Sequence, residues 1–123
     1  MWVLAYHEGF QATAKVFFKK NRKQFDQAIT NVEELVDLLR LEPSLTIQQA
    51  TMPKCYHNEG KGLFAADQSP PRRGVVEIRL YFYPDETTKT VHLIRMGKKD
   101  SQPRDIESCR PIVEEIRKSS RRE

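Results

Sequence analysis

The sequence has few of the residues that build disulfide scaffolds, membrane spans or phosphate-binding loops. Only two of its 123 residues are cysteines, Cys55 and Cys109. Two isolated thiols make no disulfide framework, so we expect a reducing, cytoplasmic setting. No apolar run approaches the roughly 20 residues that a transmembrane helix needs, so no membrane partner is expected. The five glycines form no phosphate-binding loop, which argues against a nucleotide-binding fold of that type.

Charge is distributed unevenly along the chain, although the formal net charge is only +4. Residues 1–60 hold seven basic and seven acidic side chains, whereas residues 61–123 hold fourteen basic and ten acidic ones. The whole basic excess therefore lies in the second half of the chain. Such an excess favours an acidic partner, either nucleic acid or an acidic protein, with a merely solubilising surface as the alternative.

Hydrophobic periodicity predicts a single domain over residues 1–118, followed by a frayed basic tail over residues 119–123. A short strand is expected first, then two amphipathic helices, the second of which ends before Pro43. Residues 44–62 lack a sustained period and are expected to be mostly loop, and "LFAADQ" is expected to be a short strand. The apolar faces of the two helices are predicted to consist of Phe10, Ala14 and Phe17, and of Phe25, Ile29, Val32, Leu35, Val36 and Leu39.

The stretch "VVEIRLYFYPDETTKTVHLIRMGKK", residues 75–99, alternates between apolar and polar side chains on both sides of a charged connection. This pattern predicts an antiparallel hairpin. If Tyr83 pairs with Thr90, the apolar residues of both strands share one face, so we predict this register. The other face, turned away from the helices, is then expected to carry Arg79, Tyr81, Tyr83 and His92.

The C-terminal region predicts a helix that begins near Pro103 and is kinked or split at Pro111. The order of elements predicts the α+β class, with a small antiparallel β-sheet, two N-terminal helices and a C-terminal helix. All the helices are expected to pack on one side of the sheet.

This order of elements resembles that of the RelE/HigB-type toxins of type II toxin-antitoxin systems, in the RelE/ParE superfamily. The segments "EIRLYFY", "TVHLIRMGKK" and "SQPRDIESC" carry the resemblance. It implies a RelE/ParE-like fold and a metal-independent endoribonuclease that cuts messenger RNA on the ribosome. In that reaction the 2′-hydroxyl of the RNA attacks the adjacent phosphate. The implied partners are a cognate antitoxin protein, the ribosome and messenger RNA, with no cofactor.

The resemblance also implies roles for individual residues of the hairpin. Arg79 matches the strand arginine that holds the scissile phosphate, and Lys98 and Lys99 match the basic pair after the last strand. His92 has no counterpart in the family pattern, but its imidazole can transfer a proton near neutral pH. Tyr81 could stack on a base. The general base stays open among His92, Lys61 and Lys99. A wider RNA-binding surface is expected from Lys61, Arg72, Arg73, Arg95 and Arg104.

Two departures from the family pattern keep other functions open. "LFAADQ" contains no lysine or arginine, and residues 103–118 contain no tyrosine. The alternatives are a ParE-like toxin that binds DNA gyrase without cutting RNA, and a RelE-fold protein that has lost toxicity.

Arg79 could also be a structural residue paired with Glu77 or Asp67. Cys55 and His57 are close in sequence, but a structural zinc site needs four ligands and no second pair is present.

Overall fold

The computed structural model describes residues 1–68 and 74–122, and it belongs to the predicted α+β class. Its elements follow the chain in a simple order. They are β1 (Val3–Tyr6), α1 (Glu8–Lys20), α2 (Arg22–Leu41), α3 (Ile47–Ala50), β2 (Tyr56–Gly60), β3 (Leu63–Ala66), β4 (Ile78–Asp85), β5 (Thr90–Lys98), a 3₁₀ turn (Lys99–Ser101) and α4 (Gln102–Arg122). The two N-terminal helices and the C-terminal helix are present as predicted. Residues 44–62, expected to be mostly loop, instead contain α3 and β2.

The N-terminal helices form where the apolar spacing predicts them. Asn21 is the only residue between α1 and α2, and it serves as the C-cap of the first and the N-cap of the second. The predicted stripes face the core, because Phe10, Phe17, Val32 and their neighbours at helical spacing are buried. The second helix ends at Leu41, two residues before Pro43, in agreement with the predicted stop.

The five strands form one sheet in the order β1-β5-β4-β3-β2. The strands from β2 to β5 are antiparallel neighbours, as expected of the hairpins, and β1 adds a parallel edge beside β5, so the sheet as a whole is mixed. A parallel pair needs a long crossover connection, and here all the chain from α1 to β4 lies between the two strands.

The register of the β4–β5 hairpin differs from the predicted one. Asp85, not Tyr83, lies opposite Thr90, and Tyr83 lies opposite His92. The strands extend two residues further toward a tighter turn, so that even Pro84 is part of β4. A shift of two residues preserves the faces, because side chains alternate with a period of two. Ile94 is then an extra residue in β5, a bulge between the Phe82–Leu93 and Tyr81–Arg95 pairs.

The helices cover both faces of the sheet, so the predicted one-sided packing is wrong. One face packs against α1 and α2 through alternate strand residues such as Phe64, Leu80 and Phe82. The intervening residues, such as Leu63, Tyr81 and Tyr83, pack against α4. The apolar stripe of α4 must also be buried, and it packs on the second face because α1 and α2 already cover the first. The stripe consists of Ile106, Cys109, Ile112, Val113 and Ile116.

The C-terminal helix is continuous through Pro111, so of the two predicted alternatives, a kink or a split into two short helices, the split is wrong. A proline removes one hydrogen bond to the carbonyl four residues earlier, here that of Glu107. The buried stripe on both sides of Pro111 holds the helix on the sheet in spite of that loss. Residues 119–122, expected to be frayed, continue the helix to Arg122. Ser120 is buried and its hydroxyl hydrogen-bonds the Asp85 carboxylate, which fixes this end of the helix.

Candidate functional site at one end of the sheet

Antiparallel connections bring the start of β2, the end of β3, the start of β4 and the end of β5 to the same end of the sheet. Polar side chains lie at each of these strand ends. We call this group the polar end, and it consists of His57, Asp67, Arg79, Lys98 and Lys99. The predicted residues Arg79, Lys98 and Lys99 are therefore brought together, whereas His57 and Asp67 were not among the candidates.

Arg79 is the most buried residue of the polar end. It is only 8% exposed, and its guanidinium Nη1 lies 3.6 Å from Asp67 Oδ2. Its Nε is buried and has no hydrogen-bond partner among the residues that the structure describes. The structural alternative considered for this arginine is thus correct in one respect, since it is paired with Asp67. A buried arginine requires such a carboxylate, because an unpaired charge inside a protein is strongly unfavourable.

His57 shares the same carboxylate and is the most accessible titratable group of this network. Its Nε2 lies 2.8 Å from Asp67 Oδ2, and 37% of its side chain is exposed. When Nε2 carries the proton, it donates to the carboxylate, and Nδ1 keeps a lone pair that can accept a proton. Asp67 therefore orients both a half-exposed imidazole and a buried guanidinium.

Lys98 and Lys99 extend from the end of β5 into solvent. Lys99 Nζ forms an ion pair of 3.1 Å with Glu77 Oε2, and a pair this exposed contributes little to stability. Lys98 has no ion-pair partner in residues 1–68 and 74–122. Both lysines line an open cavity of about 400 Å³ together with Glu77, Asp100 and residues 74–76. The polar end thus presents two exposed lysines after β5 and an imidazole that Asp67 orients on β2, with β4 and β3 between them.

The central part of the predicted face is closed, which corrects the expectation that it is open. Tyr81 is fully buried beneath α4, so no RNA base can stack on it in this arrangement. Burial raises the pKa of its hydroxyl well above the ordinary value, with the nearby Asp105 carboxylate adding to the effect. That hydroxyl has no hydrogen-bond partner among the described residues.

His92 lies away from the polar end, opposite Tyr83. Tyr83 lies four positions after Arg79 in β4, which corresponds to about 13 Å along a strand. His92 Nδ1 is 2.9 Å from Nε2 of His7, so the two imidazoles share a hydrogen bond. Burial lowers the pKa of both histidines, and the charge of His7 lowers the pKa of His92 further. A catalytic role for His92 together with Arg79 has no geometric support here.

Among the described residues, the remaining predicted RNA contacts do not form one surface with Arg79. Lys61 lies in the turn between β2 and β3, at the opposite end of the sheet, where its carbonyl accepts from Arg117. Arg95 forms an ion pair of 2.9 Å with Asp105. Arg104 is exposed on α4 and lines, with Arg95 and Lys98, a groove of about 580 Å³ between α1, β5 and α4. The predicted contacts Arg72 and Arg73 lie outside the described residues.

The sequence does not predict His57 and Asp67 as a joint site, because residues 44–62 carry no strand pattern, whereas the structure has β2 there. His57 and Asp67 are ten residues apart in sequence, and the register that sets Tyr56 opposite Ala66 brings them together. The signal that could have found them is "GKG", residues 60–62, in which all three residues have positive φ. Such a turn between "YHNE" and "LFAAD" predicts a hairpin, and a hairpin places His57 and Asp67 near each other.

Comparisons with protein-family models, with curated proteins and with solved structures find no match for this chain. Among the helices within residues 1–68 and 74–122, none combines the length and the apolar character needed to cross a membrane. In the same part of the chain, no three side chains of His, Cys, Asp or Glu come together as a metal-binding group.

Proposed function

We propose that the chain is the toxin component of a type II toxin-antitoxin system and cleaves messenger RNA on the ribosome. The proposal rests on the resemblance of its hairpin motifs to RelE/HigB-type toxins. The observation that carries it is the shared contact of His57 and Arg79 with one carboxylate, Asp67, at the end of the sheet where two exposed lysines also lie. The proposal implies a cytoplasmic protein whose partners are the ribosome, messenger RNA and a cognate antitoxin.

The polar end contains the kinds of groups that cleavage of RNA by its own 2′-hydroxyl requires. In this reaction the 2′-oxygen attacks the adjacent phosphorus and the bond from phosphorus to the 5′-oxygen breaks. The products are a 2′,3′-cyclic phosphate and a 5′-hydroxyl. A base must remove the 2′ proton, and cations must stabilise the charge that develops on the phosphate.

We assign the base to His57, because Asp67 holds Nε2 and leaves Nδ1 to accept the 2′ proton. Lys98 and Lys99 are exposed cations after β5, with β4 and β3 between them and His57, so we assign them contacts with phosphates along the bound RNA. Arg79 has little exposed surface, and we assign it the fixing of Asp67, in addition to the phosphate contact that the resemblance implies. The leaving 5′-oxygen takes a proton from solvent, which reaches this open end of the sheet.

A second function is favoured by the burial of the predicted catalytic face. Tyr81 is covered by α4, His92 bonds His7, and Asp67 neutralises Arg79. A protein that inhibits its target by binding alone needs none of these groups to be accessible. A ParE-like toxin that binds DNA gyrase, or a RelE-fold protein without toxicity, is therefore the alternative.

The experiment is to induce the protein alone in a bacterium and to map the 5′ ends of messenger RNA. His57→Ala and the double variant Lys98→Ala/Lys99→Ala test the polar end, and both change exposed or half-exposed side chains. Lys61→Ala is the matched control, because it removes an exposed lysine at the opposite end of the sheet. We expect new 5′ ends inside translated codons for the wild-type protein and for Lys61→Ala, but not for the other two variants.

The other outcomes decide between the alternatives. Growth arrest without new 5′ ends would favour a binding toxin. Soluble protein that causes neither arrest nor cleavage would reject the toxin proposal and leave only the fold. New ends that persist in His57→Ala would keep the nuclease and remove His57 as its base.

A further inference from the structure

The two edge strands of the sheet, β2 and β1, differ in how far side chains cover their free backbone N–H and C=O groups. At the β2 edge, Arg110 donates to the carbonyls of Glu59 and Gly60, and Gln102 contacts the Glu59 carboxylate. This edge also has a bulge between Asn58 and Gly60. Charges, bulges and covering side chains are the usual means by which an edge strand avoids pairing with another chain.

The β1 edge has one such covering side chain, Arg40 at Trp2, and among the described residues the strand itself has none of these protections. Its sequence Val3–Tyr6 contains no charged residue, proline or glycine, and its ladder with β5 is regular. The N–H groups of Val3 and His7 donate to carbonyls beside and within β5, so the odd-numbered residues direct their backbone groups inward. Leu4 and Tyr6 therefore present their N–H and C=O groups outward. The side chains beside this edge are apolar, with Val3 47% and Tyr6 55% exposed.

We propose that β1 pairs antiparallel with β1 of a second copy of this chain, with the two-fold axis at Ala5. This register sets Leu4 of each copy opposite Tyr6 of the other, and each Leu4–Tyr6 pair exchanges both of its backbone hydrogen bonds. The two five-stranded sheets become one continuous sheet across the axis. A two-fold interface of this kind uses the same strand on both subunits.

Charge complementarity supports a second copy as the occupant of this edge. Continued past the ends of β1, the proposed register brings Glu8 of the second copy, the first residue of its α1, toward Trp2, and Nζ of Lys89 lies 5.6 Å from the Trp2 ring. Neither Lys89 nor Glu8 has an ion-pair partner within residues 1–68 and 74–122. The two-fold symmetry therefore brings Lys89 of each copy toward Glu8 of the other copy, so that two such pairs are expected. Arg40 Nε donates a hydrogen bond of 2.7 Å to the Trp2 carbonyl. Because this carbonyl is already bonded, the backbone pairing with the second copy is limited to the Leu4–Tyr6 pairs.

The first test measures the mass of the wild-type protein in solution by light scattering over a roughly hundred-fold range of concentration. We expect a dimer. Tyr6→Lys places two like charges beside the axis and should give a monomer. Met52→Lys is the matched control, because Met52 is 77% exposed and lies just before β2, the strand at the opposite edge of the sheet, and it should remain dimeric.

The second test does not depend on the stability of Tyr6→Lys. In a Cys55→Ser background, Ala5→Cys places two thiols directly opposite each other at the axis. Their Cα atoms are about 4.5 Å apart in such a pair, within the range that a disulfide spans. Mild oxidation should link the two chains. Val3→Cys is the control, because the two Val3 positions are about 13 Å apart in this register.

Three results would overturn the proposal. A monomer at every concentration would show that the edge does not pair with itself. A dimer that persists in Tyr6→Lys would place the interface elsewhere. Equal crosslinking of Ala5→Cys and Val3→Cys would show random collision of the two chains.

Discussion

The two faces of the sheet are covered by helices of different character. The face toward α1 and α2 is lined by apolar side chains such as Phe64, Leu80 and Phe82, which pack against the predicted helical stripes. The face toward α4 mixes apolar residues with Arg79, Tyr81 and His92, and each of these has a buried polar atom without a partner in the described part of the chain. The first face therefore supplies stability, and the second holds chemical groups at some cost in free energy.

The largest effect is expected from a truncation on the apolar face. Phe82 is fully buried, stacks on Phe64 at a centroid distance of 5.8 Å and meets the edge of Tyr56. Phe82→Ala should lower the free energy of unfolding by about 3–5 kcal/mol, because it removes these contacts and leaves a cavity. Urea denaturation measures the change, and Phe82→Leu should cost much less. Equal losses for the two variants would mean that this face is not close-packed.

The ion pair of the α4 face should give the next largest effect. Asp67→Ala leaves the Arg79 guanidinium buried without its carboxylate, so the free energy of unfolding should fall by about 3 kcal/mol. Replacing both residues, as Asp67→Ala/Arg79→Met, should recover much of that loss, because no buried charge remains. A double-mutant cycle by urea denaturation measures the coupling. Additive losses would show that Arg79 and Asp67 do not interact.

The His7–His92 pair predicts a dependence of stability on pH. Burial lowers the pKa of both imidazoles below the ordinary 6.5, so the folded protein binds fewer protons than the unfolded chain. The contribution of the two neutral imidazoles to the free energy of unfolding is fully present at a pH above their ordinary pKa and is lost as the pH falls below it. The denaturation midpoint should therefore decrease between about pH 7.5 and about pH 5.5.

The matched variant for this prediction is His7→Asn/His92→Asn, in which neither side chain titrates. Its denaturation midpoint should change less over the same pH range than that of the wild-type protein. Asp85 is the acidic group that acts on His92, and it opposes the lowering of the pKa. Equal pH dependence in both proteins would assign the effect to other residues.

The smallest effect is expected at Tyr81, the neighbour of Phe82 on the other face. Its buried hydroxyl has no partner among residues 1–68 and 74–122, so Tyr81→Phe removes a polar group without breaking a hydrogen bond. The free energy of unfolding should stay constant or rise by up to about 1 kcal/mol. A loss of more than that amount would mean that the hydroxyl is satisfied, for example by a buried water molecule.

The sequence determines the helices and the alternation of β4 well, because both are local patterns. The stripe that includes Val32 and Leu35 is long enough to decide the helix and its buried face. The alternation from Ile78 to Tyr83 correctly separates two faces. It cannot say that both faces are covered, since Arg79 and the tyrosines look the same in sequence whether they face water or α4.

The missed parts of the site depend on pairing between distant strands. β2 has a polar sequence, "YHNEG", and becomes a strand only because β3 lies beside it. Asp67 ends a strand that contains no other charged residue. The contact of these two strand ends with Arg79 depends on three registers at once, and a shift in any one of them would separate the residues. Local spacing therefore finds Arg79 and the lysines but not the network that holds them.

The parallel pairing of β1 with β5 has a consequence for the order in which the chain folds. Val3 lies beside Thr90, which is 90 − 3 = 87 residues later in sequence. Until β5 has left the ribosome during synthesis, β1 has no strand to pair with, and the apolar face of α1 has only part of its core. Contacts of such long separation slow folding and prolong the exposure of apolar surface. Because β1 pairs with β5 alone, it can join the sheet only after β5 is in place, so β1 is among the last strands to be fixed although it is synthesised before the other four.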